Sequence, residues 1–168
     1  MERLTNEDFE SLINEHSQML FKIAYSYTKN TFDSQDIVQE VFVKFYRVRN
    51  SFENEEHIKN WLIRVTINKS LNALKQNKKE LLVGGEYINN LSETSEVDEK
   101  NEEIRECVLA LKDSYKTVII LYYYDNYSIK EIASFLKISE NNVKVRLNRA
   151  RVKLKEIIYE RKDKNGKR

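Results

Sequence analysis

The C-terminal part of the chain is rich in Lys, Arg and Asn, side chains that bind the phosphates and base edges of DNA. Its apolar positions are Val143, Leu147, Ala150 and Leu154. Their three- and four-residue spacing predicts a helix with one buried stripe. Lys and Arg contact phosphates, while Asn pairs with adenine and Arg with guanine in the major groove. These residue types therefore predict binding to duplex DNA.

The exposed face of this basic helix contains the residues expected to read bases. A helical wheel places opposite the apolar stripe Asn141, Val145, Asn148 and Arg149. Val145 could contact a thymine methyl group, and Asn142 adjoins the same face. The flanking positions, where phosphate contacts are expected, are Lys144, Arg146 and Arg151.

A shorter helix must precede the basic helix and orient it. Ser128 and Glu131 form the S-x-x-E pattern of a capping box, in which each side chain accepts from the backbone N–H of the other residue. Ser139 is a suitable N-cap for the basic helix. A helix–turn–helix with a basic second helix is a common means of entering the major groove. Ser128 and Lys130, at the start of the shorter helix, are further candidates for contacts with the DNA backbone.

Charge is segregated along the chain although its formal net value is only +2. Residues 141–168 contain 11 basic and 3 acidic side chains, whereas residues 81–103 contain 1 basic and 7 acidic. Such segregation creates a local field that attracts phosphates. The alternative is that the basic residues only complement the dipole of their own helix, but that effect requires only the last turn.

The N-terminal half predicts three further helices. The first begins at Thr5. The second follows a polar break in which Asp33 or Ser34 is the expected cap, and its inward positions include Tyr46. The third extends from about Glu56 to Gln76 and carries two apolar stripes. A helix with two such stripes is expected to be buried over more than half of its girth.

The composition favours an all-α fold of two small helical domains joined by a flexible acidic linker. Proline is absent, and the three glycines lie outside the strongly periodic segments. We expect an N-terminal domain over residues 1–79, a linker over 80–101, a C-terminal helix–turn–helix domain over 102–162 and a basic tail over 163–168. The acidic, polar linker cannot bury enough apolar area to offset the entropy of ordering it.

Residues with catalytic or metal-binding potential are scattered. Cys107, His16 and His57 do not have the spacing of a metal site, and both Cys107 and His16 occupy positions expected to be buried. No phosphate-binding glycine loop is recognisable. We therefore expect no cofactor and no enzymatic activity. A single cysteine excludes an internal disulfide, and no apolar run approaches the roughly 20 residues of a membrane span, so we expect no membrane insertion and a cytoplasmic location.

Two short motifs precede the helix–turn–helix. Residues 36–42 read DIVQEVF, and residues 61–68 read WLIRVTIN. In this order the three motifs resemble the sigma-70 family of bacterial transcription initiation factors, and the shortness of the chain resembles its extracytoplasmic function (ECF) group. The resemblance covers nearly everything from Phe9 to Ile158. It implies an alternative sigma factor that binds core RNA polymerase, directs it to specific promoters and helps to open the DNA.

The resemblance assigns a role to three sets of residues. Docking on the clamp coiled coil of the polymerase β′ subunit falls to Asp36, Gln39 and Glu40. Capture of the minus-10 element as single-stranded DNA falls to Asn54, His57, Asn60, Trp61, Arg64, Asn68, Lys69 and Asn72. The helix–turn–helix residues given above would read the minus-35 element as duplex. Without the resemblance, the first set is an ordinary solvated helix face and Trp61 is equally a core residue.

The chain departs from the family pattern at the turn of the helix–turn–helix, where Lys137 replaces a common glycine. If this position requires a positive φ angle, Lys costs roughly 1 kcal/mol. Residues 141–146 read NNVKVR where family members often have GTVKSR, which leaves the promoter sequence open. The resemblance also implies that an anti-sigma factor can hold such a protein inactive.

Two other functions fit the same features. A two-domain regulator of another kind would use its N-terminal domain to sense a ligand or dimerise, and would bind duplex promoter DNA without polymerase. An interaction protein, such as a sigma-like decoy or an anti-sigma factor, would sequester its partner without promoting initiation. Run-off transcription with core polymerase separates all three.

Overall fold

The computed structural model describes residues 4–82 and 96–166, and every element within these ranges is helical. The first of two compact units contains α1 (Asn6–Thr28), α2 (Thr31–Val48), a 3₁₀ turn (Arg49–Ser51) and α3 (Glu55–Leu82). The second contains α4 (Glu96–Leu109), α5 (Asp113–Ile119), its π-helical continuation (Ile120–Tyr124), most of α6 (Ile129–Leu136) and α7 (Glu140–Gly166). The predicted all-α fold is confirmed. Among the described helices, none is both long and apolar enough to cross a membrane.

The beginnings of α1 and α2 are set by side-chain caps. Thr5 Oγ1 accepts from the Asp8 N–H at 3.1 Å, and an Asp8 carboxylate oxygen accepts from the Thr5 N–H at 2.8 Å. The predicted start at Thr5 is therefore confirmed. The cap predicted for α2 at Asp33 or Ser34 is wrong, because Asn30 Oδ1 accepts from the Asp33 N–H at 3.0 Å and starts the helix one turn earlier. Ser34 is instead buried, with its hydroxyl 2.8 Å from that of Thr28.

Helices α1, α2 and α3 pack against one another around a common apolar core. Its fully buried side chains include Leu20, Ile23, Tyr27, Val41, Phe45, Ile58, Leu62 and Ile63. Burying each of these large apolar side chains contributes about 1.5–3 kcal/mol relative to leaving it in water. Both predicted stripes of α3 contribute buried residues. Tyr46, predicted to point inward, is 44% exposed, because it lies at the edge of the α2 stripe.

The helices next to the predicted linker are longer than expected. Helix α3 continues to Leu82 instead of ending near Gln76, and α4 begins at Glu96. The interval predicted as linker, residues 80–101, is therefore helical at both of its ends. Lys and Glu, which form α3 from Lys78 to Glu80, have good helix propensity, and no proline or glycine precedes position 83 to stop the helix. The rest of that interval, residues 83–95, lies outside the described residues.

The second unit is built around α5 and α7. Its core side chains include Val108, Leu111, Val118, Leu121, Ile132, Val143, Leu147 and Ala150. Cys107 is buried among them, as predicted. An ion pair of 2.8 Å between Arg161 and Glu106 joins the C-terminal part of α7 to α4. Helix α5 ends in a π-helical segment, in which the Asp125 N–H donates to the Ile120 carbonyl at 3.0 Å.

Candidate functional sites

The helix–turn–helix has the capping geometry that the sequence predicts. Ser128 Oγ accepts from the Glu131 N–H at 3.2 Å, and the Glu131 carboxylate accepts from the Ser128 N–H at 2.9 Å. At the start of α7, Ser139 Oγ accepts from the Asn142 N–H at 3.1 Å. Both predicted caps are confirmed. They hold the two helices at defined starting points on either side of a turn.

The turn between α6 and α7 requires a left-handed residue. Lys137 has φ 54°, in the region that favours glycine. The N–H of Ile138 donates to the carbonyl of Ala133 at 3.1 Å. This is the six-to-one hydrogen bond of a Schellman motif with Lys137 as its left-handed residue. This position therefore does require a positive φ angle, and a Lys side chain here costs roughly 1 kcal/mol relative to glycine.

The predicted faces of α7 are those of the structure. Val143, Leu147 and Ala150 are buried, whereas Leu154 is half-buried. The side chains on the opposite face, all exposed, are Asn141, Val145, Asn148 and Arg149. Val145 is 38% exposed, which leaves its methyl groups available to an apolar partner. A single helix face therefore presents amides, a guanidinium and a small apolar side chain, the groups that read base edges.

Several side chains on the flanks of α7 are already hydrogen-bonded within the protein. Arg146 Nε donates to Asn142 Oδ1 at 2.8 Å. Arg151 Nε donates to the Tyr123 hydroxyl at 2.8 Å, and its Nη1 donates to Asn148 Oδ1 at 2.9 Å. Sequence reasoning did not connect Tyr123 with this helix. Tyr123 and Arg151 are 28 residues apart, and no periodicity links positions at that distance.

The start of α6 presents two candidate backbone contacts. Lys130 is exposed in its first turn. The Ser128 hydroxyl has a structural role, because it accepts from the Glu131 N–H and also donates to the Glu131 carboxylate at 2.8 Å. A phosphate at this position would therefore compete with the capping box for that hydroxyl.

The outer face of α2 forms a polar patch around Asp36, Gln39 and Glu40, all of which are exposed. They border a shallow depression together with Val43, Lys44, Arg47 and Lys69. Val43, which sequence reasoning did not single out, is 56% exposed. Lys69 reaches over from α3 and forms an ion pair with Glu40. The patch thus combines carboxylates, an amide and an exposed apolar side chain, which suits docking against another helix.

Most of the residues expected at the minus-10 strand share one stripe of α3. An α-helix turns by 100° per residue, so the side chains that lie within about 60° of the centre of this stripe are those of His57, Asn60, Trp61, Arg64, Asn68 and Asn72. Lys69 lies roughly 100° away from Asn68 and points to the α2 patch instead. Asn54 precedes the helix, and its Oδ1 accepts from the His57 N–H at 2.9 Å. Asn54 therefore also has a capping role.

An aromatic cluster holds the loop between α2 and α3. The Phe52 ring lies 5.6 Å from that of Phe45 and 5.5 Å from that of Trp61, measured between ring centres. Trp61 is half-buried in this cluster, so it serves the core at least in part. At the start of the loop, the Arg49 guanidinium lies 3.8 Å from the centre of the Tyr46 ring. The loop beside the α3 stripe is therefore anchored by its own side chains.

His16 lies buried on the inner face of α1, as predicted. Burial lowers the pKa of its imidazole, because the charged form loses hydration. Glu15 and Glu55 raise that pKa and Lys59 lowers it further, and the burial effect is the largest. The histidine is therefore kept neutral by the packing of the first unit. Its position inside that unit gives it no access to a ligand.

Comparisons with known proteins agree with this arrangement. The family profile for sigma-70 region 2 matches residues 12–80, and the profile for sigma-70, region 4, matches residues 101–154. The RNA polymerase sigma factor SigV of Bacillus subtilis is 34% identical over 151 residues, which cover 90% of each protein. The ECF RNA polymerase sigma factor SigW of the same bacterium is 26% identical over 162 residues, covering 88% of this chain and 87% of SigW.

Solved structures share the fold. The sigma factor RpoE of Bartonella quintana, solved with the anti-sigma factor NepR, superposes with a TM-score of 0.62 at 20% identity, over 91% of this chain and 98% of that one. CnrH, solved with the cytosolic domain of CnrY, gives a TM-score of 0.62 at 23% identity, over 92% and 89% of the two chains. At this level of identity the likeness concerns the fold alone.

Proposed function

Since the chain belongs to the sigma-70 family, within its ECF group, we propose that its two helical domains act on different stretches of one promoter. As an alternative sigma factor, the protein binds core RNA polymerase and directs it to specific promoters. It is an initiation factor and not an enzyme, so the polymerase performs all bond-making chemistry. What this chain supplies is docking, base recognition and capture of the opened strand.

In this proposal the α2 patch docks on the clamp coiled coil of the β′ subunit. Asp36, Gln39 and Glu40 are exposed in a single row along the helix, and charge-assisted hydrogen bonds from a basic partner helix suit that row. Val43, beside them, adds apolar area to the contact. Glu40 is paired with Lys69 in the structure. A basic group of the clamp would therefore have to displace Lys69 or share the carboxylate with it.

The stripe on α3 and the loop before it would capture the minus-10 element as single-stranded DNA. Extruding a base costs a few kcal/mol of stacking and pairing, which selective binding of the open strand can offset. Asn68 and Asn72 are exposed on this stripe and can bond base edges. Asn54 and His57 lie where the anchored loop enters α3. Among the residues expected at the minus-10 strand, Lys69 points to the α2 patch instead. We therefore assign it a position between the polymerase contact and the minus-10 contact.

The exposed face of α7 would read the minus-35 element in the major groove. Asn141, Val145, Asn148 and Arg149 carry base readout, and Lys144, Arg146 and Arg151 carry phosphate contacts. The observation that carries this assignment is the agreement between the buried Val143/Leu147/Ala150 stripe and the exposed polar face opposite to it. Asn142, Lys130 and Ser128 would complete the backbone contacts.

We further propose that the two domains are joined by a linker shorter than the sequence predicts, because residues 80–82 belong to α3 and residues 96–101 belong to α4. The protein would act in the cytoplasm, where its polymerase is found. The two neighbouring structures contain the anti-sigma factor NepR and the cytosolic domain of CnrY, respectively. A partner of that kind would control this factor by covering the same surfaces.

Run-off transcription tests the proposal. Full-length protein is added to sigma-free core polymerase on a library of genomic fragments, and the start sites are mapped. Initiation at a limited set of sites that share an upstream and a minus-10 element is expected. Binding to promoter duplex without polymerase would favour the ligand-sensing regulator instead. Binding to polymerase without initiation would favour the decoy.

A further inference from the structure

A tyrosine outside the helix–turn–helix reaches the DNA-facing helix. Tyr123, in the π-helical continuation of α5, is 50% exposed. Its hydroxyl oxygen accepts from Arg151 Nε at 2.8 Å, and the guanidinium carbon of Arg151 lies 5.7 Å from the centre of the Tyr123 ring. A planar guanidinium held by a hydrogen bond beside a ring has few remaining orientations. Tyr123 therefore determines where the Arg151 side chain lies on the flank of α7.

The same guanidinium determines the orientation of the Asn148 amide. Arg151 Nη1 donates to Asn148 Oδ1 at 2.9 Å. Asn148 lies one turn before Arg151 on the face that would enter the groove. In an amide side chain only the oxygen accepts and only the NH₂ group donates. With its oxygen directed to Arg151, Asn148 presents its NH₂ group to a partner.

We propose that Tyr123 is a positioning residue for base recognition, which acts through Arg151 to hold Asn148 as a hydrogen-bond donor. This inference rests on the proposed role of α7 at the minus-35 element. A freely turning Asn amide favours adenine, because it bonds N6 and N7 together. The oxygen of a held amide is turned toward Arg151, which uses one of its two lone pairs and fixes its direction, so the paired contact with N6 and N7 is disfavoured. The NH₂ group of the held amide therefore favours guanine, with its acceptors O6 and N7, and thymine, with its acceptor O4, over adenine, whose N6 donor would face no acceptor from this side chain.

The test measures base preference with the full-length chain bound to core polymerase. The strongest promoter recovered from the genomic library is used, with each base pair of its upstream element replaced in turn. Tyr123→Phe removes the acceptor hydroxyl and keeps the ring. At one base pair, this variant should reduce the preference for guanine or thymine over adenine by about three- to tenfold. Preferences at the other base pairs should stay as in the wild type.

Two further variants separate this role from a general effect on folding. Tyr159→Phe is the matched control, because it also removes a tyrosine hydroxyl, and Tyr159 lines one shallow surface depression together with Tyr123 and Arg151. This control should leave every base preference unchanged. Arg151→Met interrupts the chain of hydrogen bonds at its centre and should shift the same base pair as Tyr123→Phe. In an Asn148→Ala background, Tyr123→Phe should have no further effect at that base pair.

Three results would overturn the inference while leaving the proposed function intact. These are unchanged base preferences in Tyr123→Phe, equal weakening of all promoter variants by that substitution, and a shift that persists in the Asn148→Ala background. The second result would show a merely structural role. If the wild-type chain itself confers no initiation, the proposed function fails, and the role of Tyr123 in base recognition fails with it.

Discussion

Replacing Arg149 by alanine should weaken promoter recognition without affecting the stability of the protein. Arg149 is exposed on the α7 face opposite the buried stripe. Substitutions at such surface positions usually change the free energy of unfolding by no more than about 0.5 kcal/mol. By contrast, Leu147 is 1% exposed on the same helix. Truncating it to alanine would cost about 2–5 kcal/mol of stability and could remove binding simply by unfolding the domain.

The loss expected for Arg149→Ala follows from the groups that it can reach. A bidentate contact between arginine and guanine contributes about 1–3 kcal/mol of discrimination, which corresponds to about 5- to 150-fold in affinity. The loss should be confined to promoters with the preferred base at one position. If Arg149 contacted only phosphate, Arg149→Ala would weaken binding to all DNA sequences alike. The negative slope of log K against log salt would then become less steep by about 0.9.

The assay is competition binding and run-off transcription by polymerase that carries either the wild-type or the variant chain. Lys164→Ala is a suitable control, because Lys164 is an exposed basic residue of α7 in its last turn, roughly 22 Å along the helix from Arg149. Polymerase binding should be equal in all three proteins. Equal transcription by Arg149→Ala and wild type, at every promoter, would refute the assignment of this face to base recognition.

Three other predictions follow from the remaining sites. Replacing Asp36, Gln39 and Glu40 together by alanine should abolish co-purification with core polymerase, and unchanged co-purification would remove the docking assignment. Burial lowers the pKa of His16 in the folded protein below its value near 6.5 in the unfolded chain. The stability that the neutral imidazole contributes is therefore complete above about pH 6.5 and is lost as the pH falls toward the folded-state pKa. His16→Gln should therefore flatten the decline of unfolding free energy between about pH 7 and pH 5, and an equally steep decline would contradict this. Lys137→Gly should raise the free energy of unfolding by up to about 1 kcal/mol in urea denaturation, and a destabilised variant would show that the left-handed conformation is not strained.

Local signals in the chain predicted the helices and most of their faces. The caps at Thr5, Ser128 and Ser139 were predictable because each is a contact between residues three apart. The buried stripe of α7 was predictable for a similar reason, since its period is that of the helix itself. Where local signals were weak or ambiguous, prediction failed. Asn30, one turn before the expected caps, starts α2, and charged residues continue α3 to Leu82.

The sequence by itself determined the all-α class, the helix–turn–helix and the exposed polar face of α7, because these depend on neighbours within one helical turn or on composition. Only the tertiary structure decided that Lys69 of α3 pairs with Glu40 of α2, and that Tyr123 holds Arg151 of α7. The partners in these pairs are 29 and 28 residues apart. No periodicity links such positions, since their meeting depends on how separate helices cross. Packing between helices thus sets the orientation of side chains whose identity and exposure were already predictable.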